Sequence, residues 1–330
     1  GSRHKNECHA LATTHELELA NLLLDHFPWC DMVRLFKNGS DCTAAAVRLA
    51  RHCTGRKQVV SYGYHGWQDW CCVEESFGAM ASGSIGDNIT HEPQLERVIN
   101  HITMDVAAVI IEPANQQDIS NEEMAHLSSW CAKCGTLLIF DEVVTWPRVA
   151  RGGCADYYQV QPDLMCVGKG MANGAAISAL VGKREYMERF TDVFCSTTFG
   201  GEVGAIKAAI STLTQLDEGR YWSHCWYLGT RLQFAFNDMV EAFDMKAVTE
   251  CVGLPAWPII TFRDANGYTS NEYMTFFQQE VMRRGILFNG NHFFCLQHTD
   301  ADIDKTLEAY REALNLMRQA MDYQILDRVI

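Results

Sequence analysis

The stretch 135–170, GTLLIFDEVVTWPRVARGGCADYYQVQPDLMCVGKG, constrains this fold more than any other part of the chain. It holds two short apolar runs, 136–140 and 164–167, each of a length that suits a buried strand. A charge stands after each run, Asp141 after the first and Lys169 after the second. In an open α/β sheet, ligands bind at the carboxyl ends of parallel strands, so a carboxylate and an amine placed there face one crevice. One such charge only marks where a strand meets water. Two in one stretch point to chemistry.

The flanking sequence extends the pattern. A leucine-rich helix is expected over 15–26 with Thr14 as its N-cap, then a strand over 32–36. Lys37-Asn38-Gly39-Ser40 reads as a tight turn and 41–52 as a helix. Strand, glycine turn and helix N-terminus together make an anion site, because unpaired backbone N–H groups and the helix dipole point into the turn. A strand over 58–61 leads into Tyr62-Gly63-Tyr64-His65-Gly66-Trp67, a flat platform for a ring or else a packed corner. The glycine- and serine-rich part of 70–88 is expected to be a loop and 92–102 a helix, and the strand 106–111 ends in Glu112-Pro113. With a helix over 121–134, the order β-α-β-α-β argues a mostly parallel sheet covered by helices on both faces. Beyond Lys169 come a strand over 177–181, helices over 183–190 and 203–213, and a polar loop at 195–201 between them. A long helix from about 222 to 243 is expected to cross to a second lobe, with strands over 257–262, 285–288 and 293–297 and a closing helix over 302–323.

A chain of 330 residues can bury a large core and suits one large domain with a smaller companion. Its formal charge of −14 gives no basic footprint for nucleic acid or anionic lipid, and no apolar run approaches the length of a membrane span. Partners are therefore expected to be small molecules or other protein chains. The 14 cysteines are scattered and several sit in apolar runs, as reduced buried thiols do. Cys131 and Cys134 form a C-x2-C on an amphipathic helix, with no second pair at a matching distance, so no metal is expected. The opening residues Gly1-Ser2-Arg3-His4-Lys5 lack the apolar run of a secretory leader, and the expected location is the cytoplasm.

In order along the chain stand Asn38-Gly39-Ser40, Tyr64-His65-Gly66, Glu112-Pro113, Asp141-Glu142-Val143, Lys169 and Thr198-Phe199. With these motifs the chain resembles the class III aminotransferases that use pyridoxal 5′-phosphate (PLP), most of all the glutamate-1-semialdehyde aminomutase group. The resemblance implies the PLP-dependent transferase type I fold, an α/β architecture with a smaller C-terminal α+β domain. It implies an N-terminal segment over 1–30 that is abbreviated relative to the family, a large PLP-binding domain over 31–225 and a small domain over 226–330. It further implies that Lys169 forms the Schiff base with the cofactor and moves the substrate proton, and that Asp141 keeps the pyridine nitrogen protonated. Tyr64 would stack on the ring, Val143 would pack on its other face, and Gly39 with Ser40 would hold the phosphate. Glu112 would lie close to the cofactor hydroxyl. Thr198 would reach the phosphate of a partner subunit, which implies a homodimer. By the same resemblance His65 is structural, and Arg148 makes a structural salt bridge.

The chain departs from the family in places. The usual S-G-T-E-A reads Asn38-Gly39-Ser40-Asp41-Cys42, which keeps the anion turn, and Trp146 replaces a glycine, which is expected to put bulk near the site. Asn289-Gly290-Asn291-His292 stands where the aminomutases carry a glutamate, and the loop after Tyr64-His65-Gly66 is short. The leading expectation is an aminotransferase exchanging an amino group between an amino acid and a carbonyl substrate. The alternatives are glutamate-1-semialdehyde 2,1-aminomutase and, in another class, an inactive cofactor-binding or regulatory homologue.

Overall fold

Strands form where apolar residues run unbroken, because both faces of the central sheet are covered. In the computed structural model, which describes residues 12–115, 119–324 and Leu326, β4 (Val106–Ile111) is buried along its whole length. The described residues fall into two compact units, one of 12–114 with 119–219, the other of Arg220 onward with Asn115. Among them no helix is long and apolar enough to cross a membrane.

The first unit opens with α1 (Thr14–His26). Its N-cap is Thr13, not Thr14, because Glu16 stands three residues on and closes a capping box with it. There follow β1 (Met32–Phe36), α2 (Gly39–Thr54), β2 (Gln58–Tyr62), a short α3 (Glu74–Phe77) and β3 (Ile89–His91). Helix α2 begins at Gly39, two residues before its expected start, so Gly39 and Ser40 already belong to its first turn. The helix expected over 92–102 is a 3₁₀ segment, Leu95–His101. Next come β4, α4 (Asn121–Cys134), β5 (Leu137–Glu142), α5 (Gly153–Tyr158), β6 (Leu164–Val167), β7 (Ser178–Gly182), α6 (Arg184–Met187) and α7 (Val203–Glu218). Cys131 and Cys134 are buried on α4, where burial pushes the Cys131 thiol well up.

The seven strands lie in the order β1-β7-β6-β5-β4-β2-β3. Pairing is parallel from β3 through β6, while β7 is antiparallel to both β6 and β1. It follows that β1 runs with β6, and that β1, β2, β4, β5 and β6 all end on one edge. The small residues Ala45, Ala46 and Ala50 let α2 lie close against this sheet, with Ile110, Ile139 and Cys166 beneath it. Strand β5 continues through Asp141 and Glu142, both buried, so the first charge does not mark a strand surfacing into water.

The second unit holds α8 (Tyr221–Ala242), the antiparallel pair β8 (Thr249–Val252) and β9 (Ile259–Phe262), α9 (Ser270–Arg283) and α10 (Asp300–Asp322). The expected strands at 285–288 and 293–297 are not formed. Two of their aromatics, Phe288 and Phe294, serve as core side chains instead: Phe288 packs on Phe277 and Tyr310, while Phe293 stays exposed and stacks on Trp257 at 5.9 Å. The free edge of β9 is met by a turn, with Ile260 N–H donating to Gly290 O and His292 N–H to Pro258 O.

Candidate active site

The shared strand edge surrounds a cavity of about 360 Å³. Each element delivers residues to it by topology: Lys37 follows β1, Tyr64 and His65 follow β2, Glu112 follows β4, Asp141 ends β5, and Lys169 follows β6. The segment 174–177, entering β7 from the opposite direction, completes the wall.

Gly39 and Ser40 line the cavity at the start of α2. Asn38 is the N-cap, yet its side chain makes no capping bond and donates to Asp41 Oδ2 at 3.0 Å. First-turn N–H groups are thereby left for an anion, where the helix dipole favours one. Only glycine fits at position 39, since a Cβ there would meet Val143 Cγ1 at 2.7 Å.

Asp141 is buried with both carboxylate oxygens held. Oδ2 accepts from His65 Nδ1–H at 2.8 Å and Oδ1 accepts from Val143 N–H at 3.2 Å. Glu112 Oε2 accepts from Tyr64 N–H at 2.9 Å. Burial, and then the neighbouring Asp141, push the Glu112 carboxyl up to about 7. Glu142 turns away from the cavity, its carboxylate held by Cys154 N–H at 2.7 Å and the Thr145 hydroxyl at 2.9 Å. Lys169 adopts φ +40°, a strained left-handed conformation for a side-chain-bearing residue. Burial lowers its ammonium below the usual lysine range, against the pull of Asp141 and Glu112, and Arg148 adds to the lowering. Among the described residues no ion pair joins Asp141 to Lys169, so one cavity keeps the two charges as separate functional groups.

The structure thus brings Gly39, Ser40, Tyr64, Glu112, Asp141, Val143 and Lys169 together. Thr198 lies in the loop before α7 and is not among the residues lining this cavity. Trp146 corrects an expectation: it is fully buried, packs on Phe27 at 5.0 Å and His26 at 5.6 Å, and does not line the cavity. Its indole N–H donates to Arg151 O at 2.8 Å, which directs the ring toward α1. Arg148 donates to the carbonyl of Val144. The resemblance gave His65 a structural role and Lys37 was read only as part of the turn; both line the cavity, shortly after β2 and directly after β1.

A model of the family described as aminotransferase class-III matches residues 4–250. The chain belongs to the class-III aminotransferases. Among similar relatives of this aminotransferase, the 3-aminobutyryl-CoA aminotransferase of Cloacimonas acidaminovorans is 32% identical, over 94% of this chain and 78% of its own length. A glutamate-1-semialdehyde 2,1-aminomutase of Methanothermobacter thermautotrophicus is 30% identical, over 93% and 80%. The fold is shared with an omega-transaminase from Sphaerobacter thermophilus, at TM-score 0.83 and 22% identity over 94% of this chain and 80% of that one. It is shared equally with the FumI protein of Sphingopyxis sp. MTA144 solved with PLP, at TM-score 0.84 and 24% identity over 97% and 79%. The fold is that of the PLP transaminases and the family's cofactor is PLP. The donor set fits this group: free N–H groups at a helix N-terminus suit its phosphate, a buried carboxylate suits its ring nitrogen, and a lysine amine in the same cavity, its ammonium disfavoured by burial, suits its aldehyde.

Proposed function

We propose that this aminotransferase exchanges an amino group between an amino acid and a carbonyl acceptor, with Lys169 as the residue that carries the cofactor. One observation carries this reading: a single cavity joins the α2 N-terminus, an Asp141 fixed on two sides, and a lysine whose ammonium burial holds below the usual lysine range. When bound, PLP supplies an aldehyde carbon that takes up amines and a ring that draws in the electron pair left at the substrate Cα. The remaining work belongs to the protein. Gly39 and Ser40 hold the phosphate with backbone N–H groups, and Asp141 holds a proton on the ring nitrogen. His65 fixes the Asp141 carboxylate, since its Nδ1–H occupies Oδ2. Lys169 Nζ, freed once a substrate amine has taken its place, would be the base that moves the proton of the substrate Cα. Tyr64 and Val143, which line the same cavity, would enclose the ring, and Glu112, pushed up to about 7 by burial, would lie near the ring hydroxyl.

The proposal includes a homodimer in which Thr198 reaches the partner's phosphate. Phe194 and Trp67, 84% and 77% exposed, supply apolar surface on the same unit for such a contact. It also includes a cytoplasmic location, supported by free thiols, most of them buried. Borohydride reduction of the holoenzyme followed by peptide mapping tests the central claim: the cofactor is expected on Lys169, and a label on any other residue overturns it. The aminomutase relatives favour a second reading. Turnover of glutamate 1-semialdehyde with no added carbonyl acceptor would select that reading, whereas conversion of the bound cofactor by an amino donor alone, restored by a separate acceptor, selects the first.

A further inference from the structure

The amine of Lys37 is not used by the reaction described above. Its side chain lines the cofactor cavity and also a second one of about 410 Å³, and the two share Lys37, Ala175 and Ala176 as a common wall. The second cavity is otherwise lined by Phe199, Gly204, Ala205 and Glu202, so it is mostly small and apolar with one carboxylate. Lys37 Nζ donates to Ala176 O at 2.9 Å and pairs with Glu202 Oε2 at 3.2 Å, with side-chain exposures of 18% for the lysine and 31% for the glutamate.

Glu202 does not depend on that lysine. It is the N-cap of α7, accepting from Gly204 N–H at 2.5 Å and Ala205 N–H at 3.0 Å. Burial raises its carboxyl, but these two N–H groups and Lys37 outweigh burial and hold it below the usual range. If Lys37 turned away, Glu202 would remain bonded to the helix N-terminus, where a carboxylate is stabilised by the dipole. Solvent still reaches both side chains, and Glu202 keeps its two N–H donors when the pair opens. Lys37 can therefore exchange Glu202 for another carboxylate at small cost. A carboxylate held at Lys37 would have the cofactor cavity on one side and a mostly apolar cavity on the other.

We propose that Lys37 recognises the carboxylate of the amino substrate, with Glu202 as the counter-ion it releases on binding. This rests on the aminotransferase reading of the same cavity, and it selects amino acids over simple amines. The same cation could serve the cofactor phosphate, but its ammonium is bound to Ala176 O and Glu202, on the side of the second cavity.

The test uses the PLP-loaded enzyme and butyrate, a carboxylate with no amine that can bind but not react. Binding is read from the change in cofactor absorbance. Lys37→Met is expected to weaken butyrate binding roughly tenfold or more, and Lys37→Arg to restore most of it. Glu202→Gln, whose amide oxygen still caps α7, is expected to shift the other way and tighten butyrate severalfold, because Lys37 loses its resident partner. A merely structural pair would weaken binding in both variants. Butyrate that leaves the wild-type spectrum unchanged overturns the proposal, as does a Lys37→Met enzyme that binds butyrate normally but loses PLP affinity, which would assign the lysine to the phosphate. Failure of every amino donor to convert the cofactor would count against the aminotransferase reading alone, since butyrate binding is scored without turnover.

Discussion

Two histidines, one in each compact unit, differ in where their hydrogen bonds end. In the second unit, His292 has both ring nitrogens occupied. Nδ1–H donates to Pro258 O at 3.0 Å, which makes Nε2 the acceptor of the Tyr310 hydroxyl at 2.7 Å. Burial pushes this imidazole down to about 4, so it is a neutral, closed part of an aromatic core. In the first unit, His65 donates through Nδ1 to Asp141, and among the described residues no group bonds its buried Nε2. The ring is packed against Trp70 at 6.1 Å and held by a carboxylate that faces the cavity. A histidine that serves the core is satisfied by the core. One that serves a site ends its hydrogen bonds on a group that the ligand must still use.

The hardest test of this contrast is Asp141, the end of the His65 chain. Asp141→Asn is expected to lower amino transfer by roughly 10³-fold or more, about 4 kcal/mol of transition-state stabilisation, measured as the rate of the donor half-reaction. An effect below tenfold would break the assignment of His65 and Asp141 to the site. Second in size is the pH dependence of folding without cofactor. Glu112 and Glu142 are both raised by burial from 4.5 to about 7, so between those values the folded chain holds more protons than the unfolded one. Stability is then lost as pH rises through about 7, by roughly 3 kcal/mol at most for each carboxyl. Denaturant unfolding of Glu112→Gln should remove its share of that slope. His292 acts in the opposite sense: its lowered value makes the unfolded state the better proton binder, so its contribution fades as pH falls from 6.5 toward 4.

The two smaller effects compare the histidines directly. His292→Phe strands the buried Tyr310 hydroxyl and is expected to cost about 2 kcal/mol in urea unfolding, with the cofactor spectrum unchanged. His65→Phe is expected to slow the donor half-reaction roughly tenfold, about 1.4 kcal/mol, and to move its pH profile, beside whatever stability is lost by taking a donor from the buried Asp141. His65→Gln, whose amide can still donate to Asp141, should recover much of that loss. A His65→Phe enzyme that unfolds early but reacts at the normal rate would make His65 as structural as His292.

Much of this was legible in the chain. The apolar runs at β4, β5 and β6 are long enough to cross a buried sheet, and each is followed by a charge that lines the cavity, so Glu112, Asp141 and Lys169 could be read as one group. Hydrophobic pattern did less well where aromatic residues follow one another. Phe288 and Phe294 look like strand residues, yet they fill a core whose sheet already ends at β9.

The sequence by itself determined the parallel α/β layout, the glycine turn at the α2 N-terminus and the carboxylate and amine of the site, because strand length, helix period and turn chemistry are local properties. Tertiary structure alone decided that His65 closes on Asp141 76 residues away, that Trp146 turns into the core beside α1, and that Lys37 stands between two cavities. Each of those outcomes depends on which strand ends share an edge. That is fixed when the whole sheet assembles, and no short stretch of residues carries it.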